Sequence, residues 1–453
     1  MSNEKRSSFT GSIGFVLAAA GSAVGLGNIW RFPYLAAKYG GGIFLLIYIV
    51  LAVTFGFALM TAEIAIGRKT GLSAIGAFNK LNKKFSFLGY LAALVPMIIL
   101  PYYSQIGGWV MKYLFAFVTG GGNAAAGDTY FTGFISSSTE PVLWFSLFIG
   151  ITAIIVLFGV EKGIEKVSKI MMPILVVLTV VIAGYSVSMP GALDGVVYYF
   201  KPDFSNFSVT TVLAAMGQLF YSMSLAMGIM ITYGSYMKKE DNIEKSVRNI
   251  EIFDTGIAIL AGLMVIPAVF AFSNGNLENL KAGPSLMFIT LPKVFETMAF
   301  GHIIGGAFFL LVLFAALTSS ISLMETVVSI FCDKLHINRK VSCFVVFLLS
   351  MLVGTYSCFG YSAWADFKII GLQLLDFFDF ISNSVIMPIV AFFTCILVGY
   401  VIKPKAIIDE VETNNTKFKA KNLFVVVIKY IAPIFIVLIL VSSVLSGLGK
   451  ITI

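Results

Sequence analysis

Charged residues are scarce in this sequence. Aspartate, glutamate, lysine and arginine make up 12% of its 453 residues, about half the share found in ordinary soluble proteins. Hydrophobic residues make up 58%, and several long windows, among them 41–62 and 171–192, contain no charge at all. Each such window is long enough to cross a hydrocarbon layer about 30 Å thick. The composition excludes a soluble globular protein and indicates an all-α polytopic membrane protein.

Cysteine and histidine are also rare, with four and two residues. The cysteines lie in or beside apolar segments at irregular spacing, which is typical of packing residues and not of a disulfide framework or a CxxC metal site. Two scattered histidines are too few for a metal centre. No HExxH, Walker or GxSxG motif stands in a suitable context, so the sequence argues against a membrane enzyme.

The apolar runs predict about eleven membrane crossings within one transmembrane domain, residues 1–453. The first residues, MSNEKRSSFTGSIG, show no hydrophobic region followed by a cleavage site, so we expect the N-terminus to be retained. The connector 274–300 carries a shorter apolar stretch that favours a re-entrant or surface helix. The predicted crossings are 12–37, 41–66, 88–118, 143–159, 167–188, 207–236, 243–272, 302–332, 341–359, 375–401 and 423–447.

Most of the 31 lysine and arginine residues fall in alternate connectors, and the opposite connectors hold only a few. Membrane proteins keep such an excess on the cytoplasmic side, so the bias predicts a cytoplasmic N-terminus in the cell membrane. The formal net charge of +8 is then a topology signal, and no nucleic-acid partner is expected. The basic connectors lie at 5–6, 68–84, 162–169, 238–248, 334–340 and 403–421.

Two of the predicted crossings contain tracts that are poor at forming helix. The first is GSAVGLGNIWRFP, residues 21–33, and the second is GQLFYSMSLAMG, residues 217–228. A single glycine-rich tract is often a packing contact between helices. A matched pair at the start of two five-helix halves indicates a transporter site instead, because unwound backbone bares carbonyls for cations and amides for anions.

These tracts resemble the neurotransmitter:sodium symporters, in particular the bacterial amino-acid transporters of the LeuT and MhsT type. The resemblance runs from about residue 5 to 448. Further motifs that carry it are GGG at 40–42, AEIAIGR at 62–68, PYYSQIGGW at 101–109, GQLFYSMSLAMGIMITYGSY at 217–236, FITLP at 288–292, AALTSSISLME at 315–325 and LLDFFDF at 374–380.

The resemblance implies a LeuT-like fold. Two inverted repeats of five helices, about 10–190 and 205–401, would be followed by one further helix at about 423–447, with helices 1 and 6 unwound at the midplane. It also implies a symporter that imports an amino acid with sodium by alternating access. Family members with twelve crossings use the last helix in a dimer contact, so the oligomeric state here stays open.

Family analogy supplies two sodium sites made of hard oxygen ligands. The substrate carboxylate would complete the first site, so that ion and substrate each strengthen the binding of the other. Without the resemblance, the TSS sequence at 318–320 would be read as ordinary helical residues, whose hydroxyls most often donate to backbone carbonyls of their own helix. The first site would use Ala23, Asn28, Ser222 and Asp254, and the second Gly21, Val24, Ala315, Thr318 and Ser319.

Asp254 departs from the family pattern. The LeuT pattern has a neutral asparagine there and a glutamate one turn later, where this chain has Ala258. Chloride-dependent animal members have a serine at that later position. We therefore expect Asp254 to supply the negative charge that chloride supplies elsewhere, making transport chloride-independent. The alternative is an ion pair of Asp254 with Arg248 or Lys245 at the end of the helix.

The same analogy predicts the substrate site. A carboxylate would bind the amides of Leu26 and Gly27 with the Tyr103 hydroxyl, at a helix N-terminus. Gly25 replaces the aspartate of monoamine transporters, which favours an amino acid. Because the predicted wall is uncharged, a hydrophobic or aromatic side chain is expected (leucine, methionine, phenylalanine, tyrosine or tryptophan). The substrate-binding residues are Ala23, Leu26, Gly27, Ile99, Tyr103, Tyr221, Ser222, Ser224, Met227, Ser319 and Leu323.

Gates are expected on both sides of the site. On the outer side Arg31 would pair with Asp379, with Gln218 as a bridge and Tyr221 as a lid. On the inner side Arg6 would pair with Asp333, and Phe9, Ser235 and Tyr236 would pack around the pair. Glu63 would accept hydrogen bonds from amides of the broken helices, with proton coupling as the lesser alternative.

The leading hypothesis is thus a sodium-coupled amino-acid symporter. An ion channel is a second hypothesis, disfavoured because the sequence shows no repeated pore loop and no ring-forming charged helix. An amino-acid sensor on the same fold is a third, which only a flux measurement separates from a transporter. The sequence leaves the preferred amino acid, the number of sodium ions and proton antiport undetermined.

Overall fold

A computed structural model describes residues 7–273, 275 and 283–447. In this part of the chain the regular structure is helical, and the β-type pairings are two isolated bridges. We label the helices α1a (Ser12–Ala23), α1b (Gly27–Lys38), α2 (Gly42–Thr70), α3 (Ser86–Val118), α4 (Glu140–Leu157), α5 (Val160–Val187), α6a (Val209–Ser222), α6b (Ile229–Gly234), α7 (Ile243–Ser273), α8 (Gly301–Leu335), α9 (Arg339–Phe359), α10 (Leu374–Val401) and α11 (Lys421–Gly447).

The long apolar runs of the sequence correctly predicted the positions of the long apolar helices. In the described ranges nine helices are long and apolar enough to cross a membrane, and α1a with α1b makes a tenth if the pair, bent by 55°, is one span. The sixth predicted crossing is divided into α6a and α6b, each too short to span alone. The total of eleven crossings and the two inverted repeats stay predictions.

The helices differ in how much of their surface faces other helices. In the apolar window of α8, 78% of the residues are buried, against 33% in α4 and in α11. Large apolar side chains on the outer helices point away from the protein, for example Ile154, Val177 and Leu438. A hydrocarbon environment makes such exposure favourable, so α8 is central and α4 and α11 face lipid.

Glycine allows α2 and α6b to cross at close range. A Cβ atom built at Gly67 would lie 1.9 Å from the carbonyl oxygen of Ile231, and one at Gly234 would lie 2.4 Å from that of Ile64. Small residues at a helix crossing let the two backbones approach without a hydrophobic driving force between them. This contact places the second broken helix against α2.

The described part of the connector before α8 forms the short helix that the sequence predicts, and this helix is buried. It comprises Leu286–Thr290 and Leu291–Glu296. The Phe288 ring packs between aromatic rings that include Trp30 and Trp109, and the Tyr113 hydroxyl donates to the Phe288 carbonyl at 2.8 Å. The segment therefore tucks against α1b and α3 and does not lie on the surface.

A charged network joins the connectors at the face that carries the basic loops, here called the basic face. The buried guanidinium of Arg68, at the end of α2, pairs with Glu410 at 2.8 Å and donates to the Asp241 carbonyl at 2.6 Å. Lys239 pairs with the same carboxylate at 2.6 Å. Glu410 lies on the short helix Lys405–Val411 between α10 and α11. The network ties this connector to α2 and to the loop after α6b.

Candidate functional site

The helix breaks meet in the interior of the bundle. The first separates Ala23 from Gly27, and the second, residues 223–228, contains three residues in the left-handed region: Ser224 (φ 53°), Ala226 (φ 61°) and Gly228 (φ 73°). Such a conformation is strained for serine and alanine and is held where the surroundings determine it. Glu63 on α2 accepts a hydrogen bond from the Ala226 amide at 2.7 Å, as the sequence predicts.

Three predicted ligands of the first ion site lie together. The Ser222 hydroxyl donates to Asp254 Oδ1 at 2.7 Å, and the Asn28 side-chain amide donates to the same oxygen at 2.8 Å. Asp254 and Asn28 are fully buried. Tyr48, which the sequence did not single out, donates to Asp254 Oδ2 at 3.3 Å. The carboxylate is thus surrounded by neutral polar groups from α1b, α2 and α6a.

The alternative partner for Asp254 is wrong. Arg248 lies one turn or more towards the basic face, where its guanidinium is 3.5 Å from the Glu244 carboxylate and packs over the Phe57 ring. Among the described residues, the Lys245 ammonium forms no ion pair with Asp254 within 4.0 Å. Asp254 therefore faces the helix breaks, where a cation would bind it, and not the ion pair at the end of α7.

The predicted residues of the second ion site are also adjacent, where α1a crosses α8. The Ser319 hydroxyl donates to the Ser22 carbonyl at 3.1 Å and to the Gly21 carbonyl at 3.5 Å. Thr318 donates to the Ala315 carbonyl at 3.1 Å, which is the back-bonding expected of a helical threonine. The structure shows no contact that tests the role of the Val24 carbonyl.

The donor set suits a small hard cation. It consists of carbonyls, hydroxyls, one side-chain amide and one carboxylate, and the described chain has no cluster of three or more histidine, cysteine, aspartate or glutamate side chains. Unwound carbonyls and hydroxyls are the sodium ligands of broken-helix transporters. The residues present therefore fit sodium, which this protein would carry as cargo.

A cavity of about 40 Å³ lies between the helix breaks. All of the predicted substrate-binding residues line it, together with Gly25, Asn28 and three residues that the sequence analysis missed. At one end the Leu26 amide points at the Tyr103 hydroxyl, 3.3 Å away. A Cβ atom at Gly25 would come within 2.8 Å of the Ser319 hydroxyl. The three missed residues are Ser22, Ile229 and Ser322.

A family model described as the sodium:neurotransmitter symporter family matches residues 6–126 and 135–449. The chain belongs to this family. The symporter is 33% identical over 448 residues to the uncharacterized sodium-dependent transporter YhdH of Bacillus subtilis, with 98% of each chain covered. It is 34% identical over 413 residues to the uncharacterized sodium-dependent transporter MJ1319 of Methanocaldococcus jannaschii, covering 88% of this chain and 82% of that protein.

A solved structure has the same fold. The crystal structure of MhsT in complex with L-phenylalanine superposes with a TM-score of 0.87 at 36% identity, over 97% of this chain and 100% of MhsT. The LeuT-like fold and a multi-pass, sodium-coupled transporter are therefore shown. The family is one of transporters and not of enzymes.

At the predicted outer gate, the contacts of the symporter differ from the expectation. Arg31 and Asp379 line one cavity of about 260 Å³, but the described structure has no ion pair between them within 4.0 Å. Asp379 instead accepts from Asn383 at 2.7 Å and from Tyr102 at 3.1 Å. The Arg31 guanidinium lies 5.3 Å from the centre of the Tyr221 ring. The Arg31 guanidinium thus packs over the ring of Tyr221, the predicted lid.

Gln218 does not bridge the two gate residues, because its amide donates to the Gly27 carbonyl at 3.0 Å. This bond fixes α6a to the start of α1b. The gating roles of Arg31, Gln218 and Asp379 stay predictions, since the structure shows one conformation.

Aromatic rings pack together at the predicted inner gate of the symporter. Phe9 is fully buried, and its ring packs edge-on against Tyr233 and Tyr236. Tyr236 also donates to Glu325 at 2.7 Å, and Glu325 pairs with Arg339 at the start of α9. Asp333 accepts from the Ser73 amide at 2.8 Å. Its predicted partner, Arg6, lies outside the described residues.

Proposed function

We propose that this symporter imports hydrophobic and aromatic L-amino acids with sodium by alternating access. The observation that best supports the proposal is the uncharged cavity between the helix breaks, with the Asp254 cluster beside it. MhsT, whose structure contains L-phenylalanine, has the same fold at 36% identity. A hydrophobic side chain suits a wall that includes Ile99, Met227 and Leu323.

Recognition of the amino-acid backbone follows from the broken helices. The substrate carboxylate binds the Leu26 and Gly27 amides at the start of α1b and the Tyr103 hydroxyl, because a helix N-terminus favours an anion. The ammonium group binds carbonyls of Ala23, Tyr221 and Ser222 and the Ser224 hydroxyl. Backbone and hydroxyl dipoles then compensate both charges of the amino-acid zwitterion at a buried site.

Coupling arises because ion and substrate share a ligand shell. Sodium at the first site binds Ala23, Asn28, Ser222 and Asp254, and the substrate carboxylate completes the shell; a second sodium binds at the crossing of α1a and α8. Each ligand then raises the affinity for the other by the same factor. Asp254 balances the charge of the first ion, so chloride is not needed.

Alternating access uses the two closures described above. With the N-terminus in the cytoplasm of a cell-membrane protein, the basic face is cytoplasmic. Arg31, Tyr221 and Asp379 close the outer path, and the Phe9 cluster closes the inner one. One sodium ion moved across 100 mV contributes about 2.3 kcal/mol, enough to concentrate the substrate.

Uptake into liposomes tests this function. Purified protein is reconstituted, and labelled phenylalanine and leucine are supplied outside with sodium or potassium as the cation and chloride or gluconate as the anion. We expect uptake that requires sodium and is unaffected by gluconate. Uptake in potassium would overturn the sodium coupling, and sodium-dependent binding without uptake would identify a sensor.

A further inference from the structure

The last helix carries a lysine inside its apolar span. Lys429 is the only charged residue between positions 423 and 447, and it lies about 12 Å along α11 from Lys421, where the helix begins. Its side chain is half-buried at the edge between α10 and α11, beside the exposed rings of Tyr400 and Tyr430. A charge in this position needs a partner, because hydrocarbon does not solvate it.

Tyr400 and Pro433 determine the backbone contacts of this lysine. Proline has no backbone N–H, so Pro433 cannot donate to the carbonyl of Lys429, four residues before it. The Tyr400 hydroxyl donates to that carbonyl at 2.6 Å. Both helices form a π-type turn where they meet, at Leu397–Val401 and Val427–Ile431. Such turns occur often at functional sites, and here they bring the tyrosine ring and the lysine side chain together.

The ammonium group of Lys429 has an aromatic neighbour but no anionic one. Its nitrogen lies 5.6 Å from the centre of the Tyr400 ring, which is a cation–π contact. Among the described residues no carboxylate oxygen lies within 4.0 Å of it, whereas Lys112, in the crossing 88–118, pairs with Glu140. An aromatic face offers no lone pair to the three N–H donors of an ammonium group. An anion with hydrogen-bond acceptors would therefore be bound well here.

The surroundings of Lys429 favour a phospholipid as the source of that anion. The lysine lies on the half of α11 nearer the basic face, from which its long side chain can extend to the headgroups. Towards the other face, α11 exposes the apolar side chains of Ile434, Val437 and Val441, along which an acyl chain can pack. Lys403, just beyond the end of α10, adds a second exposed positive charge. A zwitterionic headgroup brings its own cation, so an anionic headgroup matches these charges better.

We propose that the crossing of α10 and α11 binds an anionic phospholipid in the leaflet at the basic face. The lipid phosphate contacts the Lys429 ammonium, and an acyl chain lies along the exposed stripe of α11. Tyr400 is a positioning residue, because its hydroxyl holds the Lys429 backbone and its ring lies against the ammonium. The inference does not depend on which solute the symporter carries.

Native mass spectrometry of the full-length protein tests this proposal. Protein in detergent is titrated with phosphatidylglycerol or with phosphatidylcholine of the same acyl chains, and the concentration that half-fills the first lipid site is measured. We expect this concentration to be about fivefold lower for phosphatidylglycerol, the contribution of one lysine beside an anionic lipid. Equal concentrations would overturn the proposal. Displacement of the lipid by inorganic phosphate at constant ionic strength would also overturn it, because the ligand would then be a free anion.

Substitution of the lysine assigns the preference to this crossing. We expect Lys429→Gln to reduce the preference for phosphatidylglycerol below about twofold and Lys429→Arg to keep it, because arginine retains the charge. Lys245→Gln is the matched control, because Lys245 is exposed at the basic face and forms no ion pair within 4.0 Å among the described residues. An unchanged preference in Lys429→Gln, or an equal loss in Lys245→Gln, would overturn the assignment to Lys429.

Discussion

At the scale of single residues, Asp254 is an intramembrane carboxylate with only neutral partners. Its hydrogen bonds come from Asn28, Tyr48 and Ser222, and in the part of the chain that the structure describes no lysine or arginine nitrogen lies within 4.0 Å of its carboxylate. We expect Asp254→Ser to make uptake depend on chloride, with about fivefold or greater stimulation, while the unmodified protein stays indifferent. The measurement is uptake in chloride against gluconate.

Glu251→Gln is the control for that experiment. Glu251 lies one turn from Asp254 on α7 and is 4% exposed, but among the described residues it has no hydrogen bond to a predicted ion ligand. Its neutralisation should not create a chloride response. A chloride response in both variants would mean that any lost charge on α7 has this effect, and would contradict the special role of Asp254.

Gly25 is a second residue whose role can be measured. A methyl group there would come within 2.8 Å of the Ser319 hydroxyl and 3.0 Å of the Tyr103 hydroxyl. We expect Gly25→Ala to lower kcat/KM for amino-acid uptake about 10- to 100-fold, because it displaces the groups that position the substrate. Gly217→Ala, on α6a with open space around it, should have little effect; equal losses would contradict the steric explanation.

The family resemblance predicted the residues to which it assigns a ligand role, and it missed cavity residues to which it assigns none, even inside the quoted motifs. Asn28, Ser222 and Asp254 were predicted and lie together. Tyr48 was missed, since it stands in an uninterrupted apolar run and only the fold turns it towards Asp254. Ser22 and Ser322 look like ordinary helix-packing serines, and their convergence depends on how two distant segments meet.

At the scale of elements, the crossing of α2 and α6b depends on glycine. We expect Gly67→Ala to lower the free energy of unfolding by about 1–3 kcal/mol, because the methyl group overlaps the Ile231 carbonyl and the helices must move apart. Gly256→Ala on α7, where nothing lies within 4 Å, should be neutral or slightly stabilising. Thermal unfolding in detergent measures both, and equal shifts would contradict the packing argument.

The charged network at the basic face gives a second prediction about elements. Arg68→Ala leaves the Glu410 carboxylate buried without its main partner, and we expect a loss of about 3–5 kcal/mol in unfolding free energy. Lys239→Ala removes the partly exposed partner of the same carboxylate and should cost about 1 kcal/mol or less. The melting temperatures of the two variants measure both losses. A larger loss for Lys239→Ala would contradict the view that Arg68 is the main partner of Glu410.

Element positions were largely predictable, since a membrane helix needs an apolar run of fixed length. The exceptions are informative. The division of α6 into two helices was predictable from its composition. The burial of Leu286–Thr290 was not predictable, because a short apolar segment reads the same whether it packs against aromatic rings inside the protein or lies at the membrane surface. The missing contact between Arg31 and Asp379 likewise depends on the conformation, which no local pattern encodes.

At the scale of the whole molecule, ion and substrate should stabilise the fold together. A ligand that binds only the folded state contributes about 2.7 kcal/mol at one hundred times its dissociation constant. We expect the melting temperature in sodium plus phenylalanine to exceed the sum of the two separate shifts, because the sites share the substrate carboxylate. Potassium is the control cation, and additive shifts would contradict the shared shell.

The carboxylate of Asp254 has an electrical consequence. It is fixed near the middle of the bundle, and its partners are all uncharged. In the proposed alternating-access cycle, the transporter that returns without sodium would carry this negative charge within the membrane field. Its return would then be sensitive to voltage, by up to about 2.3 kcal/mol per 100 mV. The membrane potential would thus drive the reset of the transporter as well as the entry of its ions.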